Sequence, residues 1–170
     1  NPPFRSAQLG VSAISCPNAA TNFNIATCTE KIIDTAGADR SWITSDGAHV
    51  YISYHDAGNS SLIHVQRSDD DGVTWHQVGD PVVGQDGATG NATFNNTQGN
   101  IVADPVTHDV YDIYVAGQAG IQKGTSAAFN NVYVSHSNDM GRSWTATLVF
   151  HAPLFTALNN VFPALAVDRV

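Results

Sequence analysis

Ser68-Asp69-Asp70-Asp71-Gly72-Val73-Thr74-Trp75 decides how this chain is read, because the pattern returns 69 residues later as Ser137-Asn138-Asp139-Met140-Gly141-Arg142-Ser143-Trp144. Both copies spell Ser-x-Asp-x-Gly-x-(Ser/Thr)-Trp, and each follows a short β-like run, Leu62 to Arg67 and Val132 to His136. Such a stretch reads as a hairpin turn built from its own side chains. Asp70 and Asp139 are placed to bond backbone N–H groups ahead of them. Gly72 and Gly141 supply a positive φ, and the hydroxyls of Ser68, Thr74, Ser137 and Ser143 close further local rings. Trp75 and Trp144 open the returning strands, where each can cover its hairpin with on the order of 150 to 250 Å² of aromatic surface. Two full copies make an internal repeat.

Working outward, the rest of the chain supplies strands around these turns. Residues 1 to 20 are Pro-, Ser- and Ala-rich and read as extended or irregular, and Asn24 to Asp34 reads as a strand. The run His49 to Tyr54 is rich in β-branched and aromatic residues and ends at His55-Asp56-Ala57-Gly58-Asn59, a turn. The order then restarts at Ile101 to Asp104, Val110 to Ala116 and Asn131 to His136, with an insertion at 117–130. A third start, Pro163 to Asp168, brings the aspartates 46, 104 and 168 to spacings of 58 and 64 residues. The expected class is all-β.

Both copies of the turn resemble the Asp-box, or bacterial neuraminidase repeat, of sialidase-like β-propellers. The resemblance implies four-stranded antiparallel blades, two to three of them in this chain, with the box joining the third and fourth strands on the outer rim. The units expected are 1–38, closing a preceding blade and crossover; 39–83 and 84–150, each a blade with its box; and 151–170, a crossover with the first strand of a further blade. A closed ring at this spacing needs on the order of 240 to 480 residues. The expectation is therefore a fragment or one member of a multi-chain ring, partnered by further blades or by other copies, rather than a compact monomer.

Composition removes several classes of function. The 170 residues are 42% hydrophobic and 13% charged, enough for a core and suited to a turn-rich β-protein. A net charge of −8 with seven scattered Lys and Arg argues against a nucleic-acid surface. No run reaches the roughly 20 apolar residues of a spanning helix, so membrane insertion is not expected. Cys16 and Cys28 are either a disulfide of an oxidising compartment or two buried thiols. The resemblance implies a secreted or cell-surface protein with a glycan as partner. Asn59, Asn91 and Asn95 fit the glycosylation pattern, which matters only in a eukaryotic secretory route.

Sialidase-like enzymes use a Tyr and Glu nucleophile pair, an Asp acid/base and three Arg, and little of that set is visible. Glu30 is the only glutamate, and Arg67 and Arg142 lie at the boxes, leaving Arg5, Arg40 and Arg169. The resemblance thus leaves two functions open: glycan recognition with hydrolysis only in a complete parent protein, or a non-catalytic structural or interaction propeller. Arg40 is the best placed, and Asp39, Arg40, His55 and Asp56 form the candidate ligand-binding set, joining an acid, a cation and an imidazole. The competing reading is that these residues only brace the crossover and turn the chain. No cofactor is expected. The seven histidines show no zinc spacing, and in the run 69–71 an Arg falls where a calcium loop needs its first ligand, so no metal is expected either.

Overall fold

The computed structural model describes residues 9–35, 37–56, 62–82, 96–116, 131–153 and 162–168. Ten strands follow in order: β1 (Val11–Ser15), β2 (Thr29–Asp34), β3 (Ala38–Ser45), β4 (Val50–Asp56), β5 (Ile63–Ser68), β6 (His76–Gln77), β7 (Asn96–Ala103), β8 (Val110–Ala116), β9 (Asn131–Ser137) and β10 (Thr145–His151). They form three antiparallel sheets: β1-β2, β3-β4-β5-β6 and β10-β9-β8-β7. The chain is all-β.

The expected closed propeller is corrected by this topology. The described strands make three small open sheets, and no strand order among them closes into a ring. The sialidase-like, Asp-box propeller assignment falls with it, as does the reading of the chain as a segment of such a ring, whether carbohydrate-recognising or purely structural. The physical reason lies in the range of the motif. Its hydrogen bonds join residues two to four apart, which specifies a hairpin turn and is silent on how sheets are arranged.

Further expectations shift locally. Residues 11–15, read as extended or irregular, pair as β1 against β2. The expected strand from Asn24 shortens at its start because the Asn24 side chain accepts from Ala26 N at 3.0 Å and caps a 3-10 turn, Ile25–Thr27. Cys16 and Cys28 form a disulfide that ties β1 to β2 across this turn. Pro163 to Asp168 form no strand; instead Asn100 donates to Leu165 O at 2.8 Å and accepts from Leu165 N at 2.7 Å.

Burial shows how the sheets stack. Along β4, residues 51 to 54 are all buried although a strand turns alternate side chains to opposite faces. Ile52 and Tyr54 pack with Val11, Ala13 and Ala38 of the neighbouring elements, with Ile33 and Trp75 at the margin. Tyr51, on the other face, packs with Val65, Ile101, Ala103 and Val110, flanked by Trp144. The sheet holding β4 is therefore covered on both faces, by β1-β2 on one side and by β7 and β8 on the other. Each fully buried side chain of this size contributes about 1.5 to 3 kcal/mol. Gly79 permits the second seam to close: its N–H donates to Gly141 O at 2.6 Å, and a Cβ there would lie 2.7 Å from Arg142 O.

Candidate functional site

Two ends of the β3-β4 ladder carry chemistry. At the first, Asp39 pairs with His55 and Ala38 with Asp56, so the four candidate residues meet at one end of two strands. The register shifts between Asp39 and Trp42, and Arg40 sits at this irregularity with φ 55, in the left-handed region. Gln98 Nε2 donates to the Arg40 carbonyl and to Ser53 O, the latter at 3.2 Å, which fixes the bulge from the neighbouring sheet. The guanidinium lies 5.0 Å above the ring of Phe162, and its Nε is 3.7 Å from Asp39 Oδ2. Phe162 is 69% exposed, so this cation and aromatic face solvent together.

Asp56 turns toward His64. Its Oδ2 is 3.5 Å from His64 Nε2, while His64 Nδ1 is 3.1 Å from Asp80 Oδ1. The Asp80 bond raises the imidazole above its ordinary value against the opposing effect of burial, and Asp56 adds to the rise. Deeper in the seam lies Asp112, fully buried and facing Ser53 without a well-formed hydrogen bond. Burial pushes its carboxyl well above the ordinary range.

The two repeated turns have one geometry. Thr74 N donates to Asp70 Oδ1 at 2.8 Å and Ser143 N to Asp139 Oδ1 at 2.8 Å, with hydroxyl bonds of 2.7 and 2.6 Å beside them. Gly72 N and Gly141 N each donate to the leading serine at 2.8 Å, and Trp75 and Trp144 donate from the indole to the glycine carbonyl at 3.0 and 2.9 Å. Gly72 and Gly141 have φ 85 and 83. A cleft of about 630 Å³ separates the first turn from the disulfide loop, lined by Ser15, Cys16, Lys31, Asp70 and Asp71 among others. Its wall is already bonded within the protein, since Asp70 serves Thr74 and Ser15 Oγ donates to Asp71 O.

At the other end of the β3-β4 ladder, beside the first turn, the structure assembles a cluster that sequence spacing does not show. Asp46, in the β3-β4 turn, is 2% exposed. Its Oδ1 accepts from Ala48 N at 2.9 Å and His49 N at 2.6 Å. Its Oδ2 lies 3.0 Å from His49 Nδ1, 3.1 Å from His108 Nδ1 and 3.5 Å from Tyr51 Oη. Burial alone would raise this carboxyl, but the bonds from His49, Ala48 and His108 outweigh it and hold it down to about 2. His108 comes from the β7-β8 turn, where φ 62 aims it across the seam. A shared pattern was present in both turns, an Asp followed three or four residues on by a His, but only the packing of the sheets makes them one group.

Arg5 and Arg169, the three glycosylation-pattern sites and the insertion 117–130 lie outside the described residues. In comparison with known proteins, the chain matches no family model and no curated protein. The likeness of the two turns to a known repeat is thus confined to local chemistry.

Proposed function

We propose that the chain is a recognition module of an oxidising, extracellular setting that binds an anionic, hydroxyl-bearing ligand at the Arg40 end, an acidic glycan being the class to test. The observation carrying this is Arg40 itself. A non-glycine residue held in the left-handed region costs on the order of 1 to 3 kcal/mol and persists only where its surroundings over-determine it. Here Gln98 does so, and the result is a guanidinium set on an exposed aromatic ring beside the Asp39 carboxylate. A guanidinium suits a carboxylate because its planar fork matches two oxygens. Asp39 stands beside it as a hydroxyl acceptor. The disulfide supports the extracellular setting, since such bonds persist where thiols are not kept reduced.

The test is calorimetric titration with a carboxylate-bearing oligosaccharide and its neutral counterpart. The acidic ligand should bind, and Arg40→Gln should weaken it by tenfold or more. Arg142→Gln, on the second turn, should not. Equal affinity of parent and Arg40→Gln overturns the reading.

A further inference from the structure

We propose that Asp46, His49 and His108 form a binding site for a divalent transition-metal ion of the zinc type, clasping the β3-β4 turn to the β7-β8 turn. The site lies at the opposite end of the ladder from Arg40 and does not depend on the ligand bound there. The three donor atoms are within 4.8 Å of one another, and two of the separations are 3.0 and 3.1 Å. A tetrahedral ion with bonds near 2.0 to 2.1 Å needs donors roughly 3.3 Å apart, so the remaining gap closes by a rotation of the half-exposed His108 ring.

The chemistry of the turn argues that the imidazoles have a task beyond folding. In the other sheet Asp104 does the same capping work, accepting from Val106 N at 2.7 Å and Thr107 N at 3.4 Å through Oδ1. That turn forms from the aspartate's Oδ1 bonds, as does the one at Asp46, so the two histidines are surplus to both. They converge instead on Oδ2, which already has Tyr51 Oη beside it, so three polar groups crowd one oxygen with two lone pairs. An ion resolves this crowding by accepting a lone pair from each imidazole and from the carboxylate. Any proton carried at either Nδ1 leaves to Nε2 or to solvent as the ion binds.

A second feature orients the donors. His49 Nε2 faces Asp69 Oδ1 at 3.7 Å, and Asp69 is fixed by Arg67, whose Nε and Nη2 donate to its two oxygens at 2.7 and 2.9 Å. A carboxylate on the far nitrogen of a ligating histidine sets its tautomer and raises its basicity. Asp69 is thus a positioning residue. The second turn carries Asn138 and His136 where the first has Asp69 and Arg67, so this arrangement belongs to the first turn alone. Three protein donors leave a fourth position for water on the side of the half-exposed His108.

The experiment uses the full chain without a polyhistidine tag, titrated with Zn²⁺ against a chromophoric chelator and with Co²⁺ by its visible d–d bands. One equivalent should bind and give the tetrahedral Co²⁺ signature. His108→Ala, at an exposed position, and His49→Ala should each weaken binding at least tenfold. His151→Ala, bonded to Asn131 at the other end of its sheet, should leave it unchanged. Asp69→Asn should weaken Zn²⁺ by about 10 to 100-fold while the donor set still gives the Co²⁺ bands. No stoichiometric uptake by the parent, or uptake unaffected by His108→Ala, overturns the site. Unchanged affinity in Asp69→Asn removes the positioning role.

Discussion

Arg67 donates from Nη1 to the main-chain oxygen of Met140 at 3.0 Å, so a cation at the end of β5 in one sheet is seated on the repeated turn of the other. The same guanidinium forks onto Asp69, and its side chain is only 6% exposed. One buried group therefore joins the first turn, the second turn and the seam between them. Charge-assisted bonds of this kind are roughly twice as strong as neutral ones, and a fork cannot be replaced by a point charge.

Replacing Arg67 by Met should cost about 2 kcal/mol, since it strands the Met140 carbonyl at the seam and frees Asp69. Because Asp69 is 46% exposed it can recover water, which keeps the loss below that of a fully buried pair. Arg67→Lys should fall between the two, retaining charge without the fork. Urea unfolding measures all three, and a Lys variant as stable as the parent would show that the geometry of the fork is immaterial.

The turn aspartates should make the protein acid-sensitive. Burial tends to raise the Asp139 carboxyl, but bonds from the Ser143 hydroxyl and N–H, Ser137 and Arg142 hold it down to about 2. Thr74 and Ser68 lower Asp70 in the same way. A folded value below the ordinary 3.8 means the contribution is complete above 3.8 and is lost as pH falls toward about 2. Asp139→Asn should be less stable than the parent at pH 6 and should lose less further stability between pH 4 and 2. Asp70→Asn should shift in the same sense. Parallel urea midpoints for parent and variant across that interval would count against this account.

What was legible in the sequence tracks the distance over which residues act. Asp70, Gly72 and Thr74 make their bonds within a few positions of one another, so their types specify the turn. Val50 to Asp56 and Val110 to Ala116 carry the β-branched and aromatic residues that a twice-covered strand needs, and the all-β class follows from such runs. How the sheets lie against each other depends on contacts such as Ala103 N to Thr44 Oγ1, 59 residues apart, which no local pattern encodes. The expected ring is absent among the described strands for this reason: the motif fixes a turn and does not specify how sheets are arranged. The meeting of His49 with His108 depends on the same non-local packing, while Asp39, Arg40, His55 and Asp56 sit on adjacent strands of one hairpin, a proximity that local sequence encodes.

Asp112 offers the sharpest test of the seam. It is fully buried on β8, faces Ser53 of β4, and burial raises its carboxyl well above 3.8. A folded value above the unfolded one favours folding only where both states are protonated, and that advantage is lost as pH climbs from 3.8 toward the folded value. At pH 7 the unfolded chain ionises this group freely while the folded chain must hold the proton or bury the charge, so the side chain works against stability there. Asn has the shape of the neutral acid and no proton to lose. Asp112→Asn should therefore raise the urea midpoint at pH 7 and give little or no gain at pH 3, where both forms are uncharged. If the variant is instead less stable than the parent at pH 7, the carboxylate is charged in the folded protein and is bonded across the seam by groups that Asn cannot replace.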